Sequence, residues 1–272
     1  MEIVRHRDEL RQHWGGVLVP TMGALHEGHL SLIDRARESG YAPVMVSVFV
    51  NPAQFNDPED LRRYPRDPER DAAMCGERGA DVVYIPGSAE DVYPEGVDAP
   101  FSGALPPVAT QPGLEDAYRP GHFAGVCRVG TRLFELARPA AATFGEKDWQ
   151  QYQTARQLIA AERLPVQIIP GPTVREPHGL AMSSRNELLS KDGRAHAGQI
   201  KAAMDAANEV GHPATAERLG RDRLQDAGFD VEYFVVRDAE TLLAPEPGRA
   251  MRVLVAAVLE GIRLIDNDTF GD

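Results

Sequence analysis

The chain has 272 residues, 43% hydrophobic and 26% charged, which suits a soluble globular protein of one large or two modest domains. A formal net charge of −12 excludes the fold-wide basic surface of a nucleic-acid or anionic-membrane binder, although a local cluster of Arg, Lys and His can still meet a small anion. Cys75 and Cys127 match neither a metal-ligand spacing nor a disulfide framework and read as two buried thiols. The charged start MEIVRHRDEL has no apolar run, and no segment reaches the roughly 18 apolar residues of a membrane span, so a cytoplasmic protein is expected.

In chain order, Val17–Val19 reads as a short buried strand, and Gly28 to Ser39 as a helix with Leu30, Ile33 and Ala36 at helical spacing. Val44–Val50 is a β-branched strand, Asp67–Gly79 a helix stopped by glycine, and Asp81–Ile85 a strand. Pro86–Pro120, rich in Pro and Gly and without periodicity, predicts a long loop or flap. Phe123–Ala137 and Asp148–Glu162 read as helices, with strands at Ala140–Phe144 and Val166–Ile169. This alternation predicts an α/β fold with a doubly wound parallel sheet over residues 1–172. Pro170–Pro172 is a hinge candidate. Residues 173–272, with helices at Lys191–Val210 and Ala214–Asp226 and strands at Val231–Val236 and Met251–Val258, form a smaller C-terminal α+β lid domain.

The most informative segment is Pro20-Thr21-Met22-Gly23-Ala24-Leu25-His26-Glu27-Gly28-His29-Leu30, where a buried strand ends and a helix opens. Helix N-termini carry unpaired N–H groups and a positive dipole end, and open parallel sheets bind ligands at the carboxyl ends of their strands. His26 and His29, at i and i+3, point to one side of that helix start, and Gly28 between them permits close approach. Two imidazoles beside free N–H groups suit phosphate. Taken alone the pair is also compatible with a structural role; a zinc site would need a third ligand.

Other polar segments follow strand ends. Asn51 and Gln54 close the second long strand, where amides can hold a hydroxyl or carboxylate or simply form an Asn-Pro turn. Arg119 precedes a helix. Glu146-Lys147-Asp148 is either an ordinary charged turn or a place where Lys147 pairs with nucleotide phosphates and Asp148 caps a helix or holds ribose or metal. Ser183-Ser184-Arg185-Asn186 can donate several hydrogen bonds to a phosphate chain or make a plain polar turn.

His26-Glu27-Gly28-His29 resembles the HxGH signature of the nucleotidyltransferase superfamily, whose members bind ATP on a Rossmann-like sheet. The longer PTMGALHEGH is similar to the pantothenate synthetase family. So are FVNPAQF around Asn51, RPGHFAGV from Arg119, FGEKDWQQ from Phe144, PTVRE from Pro172, GLAMSSRN from Gly179 and RLIDN from Arg263, in the family's order. Ala53 stands where Met is frequent, Trp149 where Tyr or Phe is usual, and His178 where Asp is usual; Leu114–Tyr118 and Arg128 depart from the pattern.

The resemblance implies ATP-dependent joining of pantoate to β-alanine through a pantoyl-adenylate. It assigns catalysis to His29, His26, Lys147 and Arg185. It assigns ATP to Met22, Gly23, Ala24, Leu25, His26, Glu27, Gly28, His29, Gly145, Glu146, Lys147, Asp148, Val174, Met182, Ser183, Ser184 and Arg185. Pantoate falls to Gln54 and Gln151, and β-alanine to Gln54. It also implies Mg2+ carried on the ATP phosphates and a homodimer. Because a reactive adenylate needs shielding from water, closure of the smaller domain at the Pro170–Pro172 hinge is expected. RLIDN reads as structural. The competing readings are another HxGH nucleotidyltransferase and a non-catalytic nucleotide-binding protein.

Overall fold

The fold is that of a computed structural model, which describes residues 1–56 and 58–271. The chain divides into two compact units: Met1–Glu146 with Gln151–Pro172, and Lys147–Gln150 with Thr173–Asp272. The turn Lys147–Gln150 thus groups with the second unit.

The first unit is built on a six-stranded sheet. Its strands are β1 (Glu2–Val4), β2 (Val17–Thr21), β3 (Val44–Val48), β4 (Val82–Tyr84), β5 (Ala141–Gly145) and β6 (Gln167–Gly171), in the order β1-β4-β3-β2-β5-β6. Every pairing is parallel. A parallel sheet must be covered on both faces, which explains why β2 and β3 are apolar almost throughout. Its helices are α1 (Glu27–Glu38), α2 (Pro58–Arg63), α3 (Pro68–Glu77), α4 (Glu115–Tyr118), α5 (His122–Ala137) and α6 (Trp149–Ala161). On one face Val17, Val19 and Val46 pack with Leu30, Ile33 and Ala36 of α1 and Ala72 and Cys75 of α3. On the other, Leu18 and Met45 pack with Leu133 and Phe134 of α5 and Ile159 of α6. The chain runs outward from β2 to β3 and β4, then returns to place β5 on the other side of β2. The point where the order reverses, between β2 and β5, is where such sheets leave a crevice.

The expected strands and helices of this unit are present. The three-residue β1 and a 3₁₀ segment at Arg7–His13 are additions. Pro170 and Gly171, read as hinge residues, are paired with Phe144 and Gly145. Proline is tolerated there because β6 is an edge strand. The segment expected as a flap is not a solvent loop: Val92 and Tyr93 are fully buried, and Val108 and Leu114 nearly so.

In the second unit α7 (Lys191–His196), α8 (Gln199–Val210) and α9 (Pro213–Asp226) are followed by β7 (Asp230–Asp238), β8 (Met251–Leu259) and β9 (Ile262–Phe270). The strands form an antiparallel sheet, β7-β8-β9, whose core joins Ile200, Met204 and Leu224 to Phe234, Val253 and Val255. The single helix expected over Lys191–Val210 is broken near Gly198. There a side chain is excluded, since a Cβ would lie 2.3 Å from the His178 carbonyl oxygen.

Candidate active site

Because β2, β3, β5 and β6 are parallel, the loops that follow them emerge on one edge of the sheet. After β2 the chain turns through Met22, Gly23, Ala24 and Leu25. Gly23 has φ +81° and Ala24 φ +51°, so the turn passes twice through the left-handed region. Asp71 on α3 holds it. Its Oδ2 accepts from the Ala24 N–H at 2.9 Å and its Oδ1 from the Leu25 N–H at 2.9 Å. Burial pushes the Asp71 carboxyl up, while the Leu25 and Ala24 N–H groups work against that rise. Thr21 completes the brace, donating to the Ser47 carbonyl at 2.7 Å and accepting from Gly23 N–H at 3.3 Å.

This turn delivers His26 as the N-cap of α1. Its Nδ1 accepts from Gly28 N–H at 3.1 Å, so the neutral ring carries its proton on Nε2. The His29 ring lies 4.1 Å from that of His26, tilted by 37°. Two imidazoles therefore stand together at a helix N-terminus beside the reversal point of the sheet. Such a place can hold phosphate and offer N–H donors to charge that grows on it.

After β3, Asn51 caps the 3₁₀ turn Pro52–Gln54. Asn51 and Gln54 are buried at 1% and 7% exposure. Gln54 meets Met22: its Nε2 donates to Met22 Sδ at 2.9 Å. The RPGHFAGV segment clamps this turn from outside. His122 Nδ1 lies 2.9 Å from the Gln54 carbonyl oxygen and Arg119 lies 3.3 Å from His122 Nε2. Gly125 lets α5 touch the turn, since a Cβ there would lie 2.1 Å from the Ala53 carbonyl oxygen. Gly145 ends β5, Glu146 follows it, and Gln151 sits half-buried in the first turn of α6.

The second unit holds the remaining expected residues. Lys147 Nζ lies 3.5 Å from Asp148 Oδ1. The Lys147 carbonyl accepts from Asn267 Nδ2 at 2.7 Å, and Trp149 donates from Nε1 to the Ala239 carbonyl at 2.8 Å. The Arg252 guanidinium stacks 3.5 Å from the Trp149 ring centre. Val174 and Met182 face each other across a small hairpin, Met182 N–H donating to the Val174 carbonyl at 2.9 Å. Ser183 caps the next 3₁₀ turn by accepting from Arg185 N–H at 3.3 Å, and Ser184 begins that turn.

Two ion pairs fix this hairpin. Arg175 grips Asp266 in a bidentate contact of 2.5 and 3.1 Å. Glu176 accepts from Arg194 Nε at 2.8 Å and Asn186 Nδ2 at 2.8 Å. Burial alone would raise the Glu176 carboxyl, but Arg194 and Asn186 outweigh it and hold the group below its ordinary value. His178 lies 3.6 Å from Glu176, on the hairpin's flank.

The structure adds Asp71, His122 and Tyr93, whose hydroxyl donates to Asn51 Oδ1 at 2.7 Å, to the first-unit site and Asn267 to the second-unit turn. His122 and Asn267 lie inside motifs already singled out, whereas Asp71 and Tyr93 carry no local sequence signal.

The family model described as pantoate-beta-alanine ligase matches residues 2–269. A pantothenate synthetase of Paracoccus denitrificans is 48% identical over 258 residues, covering 92% of this chain and 88% of its own. One from Cereibacter sphaeroides is 49% identical over 259 residues, covering 92% and 90%. The crystal structure of a pantothenate synthetase from Thermus thermophilus superposes with a TM-score of 0.91 at 44% identity, over 98% of this chain and 99% of that one. That of a Francisella tularensis pantoate-beta-alanine ligase complexed with beta-gamma ATP and beta-alanine gives 0.80 at 31% identity, over 99% and 97%. The chain belongs to the pantoate–β-alanine ligase family.

Proposed function

We infer that the chain makes pantothenate from pantoate, β-alanine and ATP through a pantoyl-adenylate. The observation that carries this reading is the His26–His29 pair at the N-terminus of α1, beside the sheet's reversal point and next to the Gln54 amide. A carboxylate does not acylate an amine at a useful rate, because its oxygen leaves poorly. A pantoate carboxylate oxygen attacks the α-phosphorus of ATP, and pyrophosphate leaves. The β-alanine amine then attacks the pantoyl carbonyl carbon and expels AMP.

The first step needs in-line positioning and charge neutralisation more than covalent help. We assign that to His26 Nε2, His29, Lys147, Ser183, Ser184 and Arg185. Adenosine and phosphates lie along Met22–Gly28, Gly145–Asp148, Val174 and Met182. Gln54 and Gln151 orient pantoate, and Gln54 also meets β-alanine. These assigned groups are mostly hydrogen-bond donors and cations, which suit phosphate oxygens rather than a metal ion. Magnesium is accordingly proposed to be held by the ATP phosphates, where it neutralises their charge.

A homodimer is proposed from the family resemblance, and size-exclusion chromatography with light scattering tests the assembly; a cytoplasmic location is proposed with it. Among the described residues no helix is long and apolar enough to cross a membrane.

Product analysis tests the reaction. Incubation with pantoate, β-alanine, ATP and magnesium yields pantothenate, AMP and pyrophosphate in equal amounts. Release of ADP, or AMP release indifferent to pantoate, overturns the assignment.

A further inference from the structure

Asn51 sits between two backbone groups whose roles are fixed. The Gly125 carbonyl can only accept, and it lies 3.1 Å from Asn51 Nδ2; the Ala53 N–H can only donate, and it lies 3.2 Å from Asn51 Oδ1. The Asn51 amide therefore has one orientation. Its Nδ2 also donates to Gln54 Oε1 at 3.0 Å, which in turn fixes the Gln54 amide: Oε1 faces Asn51, and the Nε2 donor end faces Met22 and the mouth of the β2 and β3 loops.

One further side chain holds Asn51. Tyr93, fully buried, donates from its hydroxyl to Asn51 Oδ1 at 2.7 Å. Tyr93 comes from the segment without periodicity, and α5 secures it there. The Arg128 guanidinium lies 4.0 Å from the Tyr93 ring centre. Arg128 is itself buried, and it donates to the Gly96 carbonyl at 2.5 Å, to Glu95 Oε1 at 3.1 Å and to the Val97 carbonyl. Phe49 meets the same ring edge-on at 5.9 Å. A cation over the ring face draws density from the phenol and strengthens its O–H as a donor.

We propose that Tyr93, carried by Arg128, is a positioning residue that acts through Asn51 to lock Gln54 with its donor end toward pantoate. This rests on the reading of Gln54 as a pantoate residue and says which end of it serves. Substrate oxygens that accept, a carboxylate or a hydroxyl, are recognised there. A ligand that offers only N–H donors at that point is rejected, because Gln54 cannot turn over without leaving Asn51 Nδ2 facing an amide NH2.

The test is Tyr93→Phe, which keeps the ring and removes one hydroxyl. Loss of one neutral hydrogen bond in the chain is expected to raise KM for pantoate about fivefold. KM for ATP stays within about twofold and the melting temperature within a few degrees. A wild-type pantoate KM in the active variant overturns the lock. So does a lower melting temperature with both KM values unchanged, which is the signature of a structural role only.

Arg128→Met leaves the hydroxyl in place and is read by the same criterion should Tyr93→Phe fail to fold. A selective rise in pantoate KM supports the lock, and no rise overturns it. Wild-type enzyme without any pantoate-dependent activity sinks the reading of Gln54 and the lock together, and so differs from failure of the lock alone.

Discussion

Asn267 Nδ2 donates to the Lys147 carbonyl at 2.7 Å, so the last strand of the chain holds the turn that carries the proposed phosphate lysine. The same Asn267 accepts from Arg252, which stacks on Trp149 two residues further along that turn. Replacing Asn267 by Ala frees the turn and leaves the buried Arg252 without that acceptor. Asn267→Ala is expected to raise KM for ATP roughly tenfold and leave KM for pantoate within about twofold, because a displaced positioning group costs rate without touching the other substrate. Steady-state kinetics in each substrate check this.

Asp71 accepts the N–H groups of both Ala24 and Leu25, and an amide in its place can accept only on its oxygen side. Asp71→Asn is expected to lower stability by about 2 kcal/mol and to cut activity as His26 moves with the turn. Urea unfolding and kinetics, measured together, give both values.

Gly125 is where α5 rests on the Asn51–Gln54 turn. Gly125→Ala places a methyl 2.1 Å from the Ala53 carbonyl oxygen, a backbone atom that cannot rotate away. Overpacking of this kind costs roughly 1–3 kcal/mol, and the displaced Gln54 should raise KM for pantoate. The same change at Gly113, where nothing lies within 4 Å of the added carbon but φ is +71°, strains only the backbone and should spare KM.

Burial raises the thiols of Cys75 and Cys127 from 9.0 to about 12, with Asp71 adding to the rise at Cys75. Both should be silent to a thiol reagent at pH 8 in the native protein and react fully in denaturant. The sign of the linkage is also fixed. Below pH 9 the thiols are neutral in both states; between pH 9 and about 12 the unfolded chain ionises them and the folded chain does not. Stability should fall across that window, and Cys127→Ala should fall less steeply.

Much of the loop between β2 and α1 was legible because its signals are local. A β-branched run, a turn with glycine and a histidine pair at i and i+3 specify strand end, turn and helix start within a dozen residues, and His26 indeed caps α1. Asp71 was not legible. In sequence it is one of two acids in the first turn of a helix, beside Glu69, and only the packing of α3 singles it out. Tyr93 was hidden because Pro86–Pro120 lacks periodicity. Its core contacts come from scattered side chains, Val92, Tyr93, Val108 and Leu114, with Tyr93 held by Arg128, and not from an amphipathic stripe. β9 was missed as a strand because Asp266 and Asn267 interrupt its apolar pattern, and both are buried by specific partners, Arg175 and Arg252. The break in the long C-terminal helix lies at Gly198, whose backbone rests against His178, a contact between segments that no helical periodicity reports.

Pantoate-dependent exchange of labelled pyrophosphate into ATP, with magnesium and without β-alanine, is the most direct measurement of the adenylate step. It should be made on wild type and on His29→Ala. Exchange that requires pantoate and falls at least about 100-fold in the variant is the expected result, the scale of losing one donor aimed at developing charge. Folded wild-type protein that binds ATP yet shows no exchange with pantoate would contradict the pantoyl-adenylate reaction and the roles given to His29 and Gln54.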